Sequence, residues 1–435
     1  MRIAYVDTTE ALTREAGAGG PIFSNNVVRR LPRYMEVVYL PGSLAIAKIE
    51  SYEEALRLAS VLKGLRGTGL WIPGRVVEFL EGRAARLGRR DRILAYLDLM
   101  VKEAEGADFF LDTDYWPHNI ANIRQILGSP ASLLLGDVFY LTRRIGGRAL
   151  AVVQGLGDWR IRPPGITVIN YLRSAKSIGN VDVVSAARWF AAGVAKDIYV
   201  YALRREEFSK IFSVSAGALI NIGLRRCDKC EVLRPAIAVD PSNCRRAASK
   251  ENIFAYAGRR VTNKGILELP YIYAEAAKRT GAGLVVAGRF NDGATERAFV
   301  REVRRLGLDG VRLTGWLSKA ELYGLLSRAK VLLYPSHSDS FSIVVLESLA
   351  CGTPVVAYDI PGLRSVYGDL PAVRFVKEFD RRAMAEEAVS LAMLGDDEYS
   401  AVVRNERVLS FLKEHSSWDV VAERFAERII ALSRK

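Results

Sequence analysis

Short apolar, β-branched runs recur along this chain, each closed by glycine, proline or a polar cluster. Ile253–Ala257, Leu284–Ala287, Val311–Thr314, Val331–Tyr334, Val355–Ala357 and Val373–Val376 are such runs. Between several of them the apolar positions shift to helical spacing, as in Leu267–Arg279 and Asp380–Leu394. Runs buried on both faces that alternate with helices predict a parallel, doubly wound α/β sheet. The first half has a looser version of the same rhythm. Arg2–Val6, Val37–Leu40, Phe109–Leu111, Ala131–Leu135, Ala149–Val153, Ile211–Val214 and Glu231–Val239 read as strands. A helix is expected from Ile22 to Leu31, mostly helical chain over residues 51–105, a helix-rich segment from Ala186 to Lys210, and helices again from Tyr399 to Leu432. The small, polar and basic stretch 241–251 reads as a linker. The expectation is therefore two Rossmann-like domains facing across a cleft. They are residues 1–245 and 246–415, with a final helical segment, 416–435.

The stretch Val331–Gly362 organises the second half. A strand ends at Pro335, a polar loop runs to Asp339, and Ser340 or Ser342 can cap a helix carrying Ile343, Val344, Leu346 and Leu349. Gly352 and Pro354 stand where a helix stops. A helix start suits a phosphate, and Asp339 and Glu347 bracket it. In an open parallel sheet, ligands sit beyond the carboxyl ends of the strands. Gly258, Arg259 and Lys264, the Gly288-Arg289 turn and the Asp339–Glu347 segment all fall there. Cations suit a diphosphate, and carboxylates suit sugar hydroxyls. This describes a nucleotide-sugar site better than a redox dinucleotide site or a nucleic-acid groove.

Composition adds little that conflicts. The 435 residues are 50% hydrophobic, enough for two cores, and 62 Lys and Arg against 49 Asp and Glu give a net charge of +13. That balance favours anionic partners, but no RNA or DNA motif accompanies it. Arg83, Arg86, Arg89, Arg90 and Arg92 crowd one side of a pattern whose apolar face is Val76, Val77, Leu80, Ala84 and Leu87. It reads either as a helix lying on an anionic membrane or as a solvated face over a core stripe. No run is long and apolar enough to span a bilayer, and the chain opens on a strand rather than a signal peptide, so a cytoplasmic protein, at most peripheral on a membrane, is expected. Cys227 and Cys230 form a C-x-x-C with Cys244 the nearest further thiol, and three histidines serve the whole chain. A local disulfide or free thiols fit better than zinc. Asp112-Thr113-Asp114 can hold a divalent cation on a diphosphate, but three letters are a weak match, and no metal site is assigned.

Residues 253–376 resemble the donor domain of retaining glycosyltransferases of family 4, which have the GT-B fold. The resemblance rests on Gly258, Arg259, Lys264 and Gly265, and on Pro335, Ser336, Asp339, Phe341, Glu347, Ala350, Gly352, Pro354, Val355 and Val356 at the family's spacing. It implies transfer of a hexose from a UDP-, GDP- or ADP-linked donor to a glycan or lipid-linked acceptor, with no cofactor and no metal in the chemistry. By the same resemblance, Arg259 and Lys264 bind the diphosphate and stabilise the leaving nucleotide, Glu347 takes the ribose hydroxyls, and Asp339 contacts the transferred sugar. Backbone N–H groups at Phe341, Ser342 and Ile343 face the distal phosphate, and the Gly19-Gly20 loop closes from the other domain. Three departures stand out. Asp339 replaces a glutamate. Ser340 and Ser342 replace glycines. The Ala131–Leu135 run is followed by Gly136 and Asp137, where many members place a histidine. His118 and Asp137 are the candidates for that role. The departures leave room for a rival reading, a catalytically silent nucleotide-sugar-binding homologue.

Overall fold

The structure, a computed structural model, describes residues 1–13, 19–115, 126, 128–154, 200–244 and 249–434. Among the described residues twelve strands form two six-stranded sheets, and every strand pairing is parallel. The first contains β1 (Arg2–Asp7), β2 (Glu36–Pro41), β3 (Phe109–Asp112), β4 (Arg148–Val153), β5 (Phe208–Ser213) and β6 (Cys230–Val232), in the order β2-β1-β3-β4-β5-β6. The second contains β7 (Ile253–Ala257), β8 (Gly283–Ala287), β9 (Val311–Gly315), β10 (Val331–Tyr334), β11 (Val355–Tyr358) and β12 (Val373–Val376), in the order β12-β11-β10-β7-β8-β9. In each order the chain reverses direction beside its first strand, which opens the crevice where α/β sheets bind ligands. β10 and β11 are buried throughout, as their apolar runs require.

Several expected elements differ. Ala131–Leu135 is a 3-10 turn, not a strand. Its amides bond three residues back (Leu133 N to Pro130 O and Gly136 N to Leu133 O, both 2.9 Å), so a short apolar run between Pro130 and Gly136 made a turn instead. The strand expected over Glu231–Val239 is only Cys230–Val232, because Pro235 has no N–H to continue the ladder. Phe208–Lys210 belongs to β5 rather than to a helix, and residues 186–199 lie outside the described residues. Gly19 and Gly20 are the first residues of the helix Gly19–Val28, not a loop before it. The arginines at 83–92 do not share one helix face. They span the end of Gly74–Gly82, a turn and the start of Arg89–Ala104. Arg92 is buried and donates inward to the carbonyls of Ile46, Ile49 and Leu87.

Among the described residues, links that stitch the two halves together include the following three. The last helix, Trp418–Ser433, packs on Gly19–Val28 and the first sheet. Phe425 meets Phe212 at 5.1 Å and Phe23 at 6.2 Å, and Asp419 bridges Arg30 (2.7 Å) and Arg33 (2.8 Å). The helix Ala216–Asn221 lies against Pro361–Tyr367. A Cβ on Gly217 would stand 2.1 Å from Pro361 O, and one on Gly362 would stand 2.0 Å from Asp339 O. Ser215 Oγ donates to Ser340 O beside that contact, and Gly217 N donates to Ser365 Oγ at 2.9 Å. The third link is Cys244–Cys351, which ties the segment between the sheets to the end of the Ile343–Ala350 helix. Cys227–Cys230 is bridged locally.

Candidate active site

A cleft of about 660 Å³ lies between the carboxyl ends of the two sheets. From the second sheet it is lined by Gly258, Arg259, Lys264, Asp339, Ser342 and Glu347, residues the sequence marked. Phe341 and Ile343 line it too, together with Gly288 of the turn after β8. Facing them from the first sheet are Pro21 and Ile22, one step beyond Gly19 and Gly20, with Asp114 and Gln154. A pair of glycines shapes the floor. Gly288 has φ +122°, and a Cβ there would lie 1.9 Å from Gly258 O, so the turns after β7 and β8 can approach only without side chains.

The Lys264 and Asp339 side chains form one unit. Lys264 Nζ donates to Asp339 Oδ2 (2.8 Å) and to Ser338 O (2.7 Å). Tyr334 OH donates to the same carboxylate oxygen, and Oδ1 accepts the amides of Ser340 (2.9 Å) and Ser342 (3.1 Å). Burial pushes this carboxyl up, but the Lys264 charge and these hydrogen bonds outweigh it and hold Asp339 below the usual carboxylate range. Neither serine hydroxyl caps the helix Ile343–Ala350; Asp339 bonds the amides just before it instead. Ser342 takes a left-handed backbone, φ +64°, in a position that suits glycine. The Phe341 ring turns into the core, edge-on to Tyr367 at 5.7 Å and beside His415 at 5.6 Å. The backbone thus faces the cleft while the ring anchors the loop.

Glu347 lies one turn into that helix and is 2% exposed. Its Oε1 accepts from Lys319 Nζ and, at 3.4 Å, from Tyr323 OH. Burial pushes its carboxyl up, and the Lys319 charge offsets only part of that. Trp316, 54% exposed, stands at the rim beside Lys319. Arg259 is exposed in the cleft. Its neighbour Arg260 is buried, donates to Val286 O (2.6 Å) and lies over the Phe290 ring, so of the two adjacent arginines Arg259 lines the cleft and Arg260 does not.

The remaining candidates fall elsewhere. Asp137 is buried away from the cleft at the start of Asp137–Ile145 and accepts the Ser43 amide at 3.0 Å. His118 lies outside the described residues. Asp112 ties its loop to the end of β1, accepting from the Thr8 hydroxyl (2.6 Å) and the Asp114 amide (2.9 Å), and burial raises its carboxyl well above the usual range. Among the described residues no cluster of His, Cys, Asp or Glu could hold a metal ion, and no helix is long and apolar enough to cross a membrane. The sequence reading missed Lys319, Tyr323, Trp316 and His337. None belongs to a recognisable motif, and Lys319 reaches Glu347 from 28 residues away.

Residues 243–408 match the family Glycosyl transferases group 1. That domain contains every second-sheet residue of the cleft named above. D-inositol 3-phosphate glycosyltransferase of Segniliparus rotundus is 31% identical over 153 residues, 34% of this chain and 32% of that protein. The chain therefore matches about a third of that relative's length. Glycogen synthase of Mycobacterium tuberculosis is 26% identical over 297 residues, 64% of this chain and 68% of that protein. Among solved structures, sucrose-phosphate synthase of Thermosynechococcus elongatus superposes with a TM-score of 0.65 at 16% identity, covering 100% of this chain and 99% of that one. Anabaena Alr3699/HepE in complex with UDP gives 0.65 at 11% identity, covering 99% and 100%. The match over residues 243–408, the two parallel six-stranded sheets and these neighbours make the architecture that of the GT-B fold.

Proposed function

We propose that this protein is a retaining glycosyltransferase that moves a hexose from a nucleotide-sugar donor to a hydroxyl of an acceptor glycan or lipid-linked acceptor. One observation carries the reading. Arg259, Lys264 and the amides around Ser342 line the same cleft as Glu347, with a second wall supplied by the other sheet. Cations and helix-start amides take the diphosphate, and Glu347 takes the ribose hydroxyls. The anomeric C–O bond to the diphosphate breaks, and its electron pair leaves on the phosphate oxygen. Arg259 and Lys264 stabilise that developing charge, and the acceptor hydroxyl oxygen forms the new bond to the anomeric carbon as its proton passes to the departing phosphate oxygen. Asp339 orients Lys264 and stands where the transferred sugar would lie. In this reading residues 246–415 hold the donor, 1–245 present the acceptor, and 416–435 cross back.

The family match and the UDP and UDP-glucose complexes of Anabaena HepE support a nucleotide-sugar donor. The test is donor hydrolysis and transfer by the wild type, Lys264→Ala and Glu347→Ala, with UDP-, GDP- and ADP-hexoses first ranked by thermal shift. Loss of activity in both variants is expected; equal activity in all three proteins would sink the assignment.

A further inference from the structure

A histidine is buried beneath the loop that carries Asp339. The His337 amide donates to Asn263 O (2.9 Å), in the turn that ends at Lys264. Its Nε2 lies 2.6 Å from Glu268 Oε1, and its Nδ1 lies 2.8 Å from Glu378 Oε1. Glu268 opens the helix that follows the Lys264-Gly265 turn, and Glu378 follows β12. Tyr358, at the end of β11, donates to the other oxygen of Glu268. Phe379 stacks on the imidazole at 4.5 Å, and Arg381 beyond it lies over Tyr271 at 4.6 Å and acts electrostatically on Tyr358. Among the described residues, the charged and titratable groups around His337 include Glu268, Glu378, Tyr358 and Arg381.

A neutral imidazole offers one donor and one acceptor. Here both ring nitrogens face carboxylates, and only an imidazolium donates to both. The same side chain joins the segment bearing Lys264 to the segment bearing Asp339.

We propose that His337 is a positioning residue for the donor diphosphate: as an imidazolium between Glu268 and Glu378, it holds the Pro335–Ser342 loop so that Lys264 and the start of the Ile343–Ala350 helix meet the same phosphates. The proposal rests on the nucleotide-sugar reading. Burial pushes His337 down, but the two carboxylates more than offset this and raise it to about 8. A raised folded-state value means the clamp is complete below the ordinary histidine range and is lost as pH rises through about 8. Above that, a ring nitrogen lone pair faces a carboxylate and the loop loosens. Donor KM then rises, while kcat at saturating donor changes much less.

UDP, GDP and ADP are titrated calorimetrically into wild type and His337→Gln at about pH 6.5 and about pH 9, with Tm recorded for each sample. Wild type is expected to bind its preferred nucleotide about tenfold more weakly at the higher pH. His337→Gln is expected to be about tenfold weaker already at the lower pH and nearly flat above it, the loss of one charge-assisted hydrogen bond. If His337→Gln folds poorly, Glu378→Gln keeps the Glu268 contact and is expected to move the fall in affinity to lower pH. A variant with wild-type affinity and wild-type pH slope overturns the proposal, as does wild-type binding that is indifferent to pH. If wild type binds none of the three nucleotides, the nucleotide-sugar reading falls and takes this proposal with it.

Discussion

Lys264 and Asp339 are 75 positions apart in the chain and 2.8 Å apart in the cleft. Both side chains are mostly buried. Removing the cation leaves a buried carboxylate with only neutral donors, which costs about 3 kcal/mol or more. Lys264→Met and Asp339→Asn are each expected to lower the urea midpoint. Their double mutant should lose less than the sum, with a coupling of roughly 1–3 kcal/mol. The pH dependence has a definite sign. Asp339 is lowered in the folded state, so its stabilisation is present above the ordinary aspartate range and fades as pH falls through the lowered value. Asp339→Asn should flatten the acid limb of the stability curve. An unchanged limb would place the acid sensitivity elsewhere.

Glu347 behaves in the opposite sense. Its carboxyl is raised by burial, so the fold loses stability as pH climbs from the ordinary glutamate value through the raised one. Glu347→Gln is expected to be at least as stable as wild type near neutral pH, measured by denaturant midpoint. With Glu347 in its proposed role, the variant is also expected to bind nucleotide about tenfold more weakly, because a charged hydrogen-bond acceptor is gone. Stability and affinity moving together would contradict this.

Ser342 keeps a left-handed backbone, φ +64°, just before the Ile343–Ala350 helix. A non-glycine residue there carries about 1–2 kcal/mol of strain. Ser342→Gly should raise stability by roughly 0.5–1 kcal/mol after the greater freedom of glycine in the unfolded chain is counted. Equilibrium unfolding measures it, and donor KM should stay close to wild type.

Gly217 sits in the seam between the halves. Alanine there would place a Cβ 2.1 Å from Pro361 O. Backbone must move, at a cost of roughly 1–3 kcal/mol. Gly217→Ala is expected to enlarge the radius of gyration in X-ray scattering and, with the nucleotide partners proposed above all on one side of the seam, to lower transfer far more than nucleotide affinity.

How much was legible depends on what each signal measures. β7 to β12 were readable because a fully buried parallel strand must be an apolar, β-branched run, and turns bound each one. Ala131–Leu135 has the same composition, yet it makes a turn, since apolar content reports burial and not the presence of a neighbouring strand. Arg259, Lys264, Asp339 and Glu347, which line one cleft, could be singled out together because motif spacing survives in one dimension. Their partners were not. Lys319 meets Glu347 across a helix–helix contact, and His337 meets Glu268 and Glu378 from three separate segments. Arg92 looked like surface charge because nothing local marks the carbonyls of Ile46, Ile49 and Leu87 as its partners. The second thiol pair, Cys244 and Cys351, spans 107 positions and was equally hidden.

The packing of Trp418–Ser433 on the first sheet fixes an order of events during synthesis. The strands of that sheet are complete by Val232, but Phe425, which fills the space between Phe23 and Phe212, is made long after them. At ordinary elongation rates the gap is roughly 10–40 s. For that interval the nascent first half exposes an aromatic groove with no occupant, while the second sheet already has all its strands once Val376 is made. The half made first is therefore the half finished last, and the exposed groove is the surface a ribosome-bound chaperone would meet.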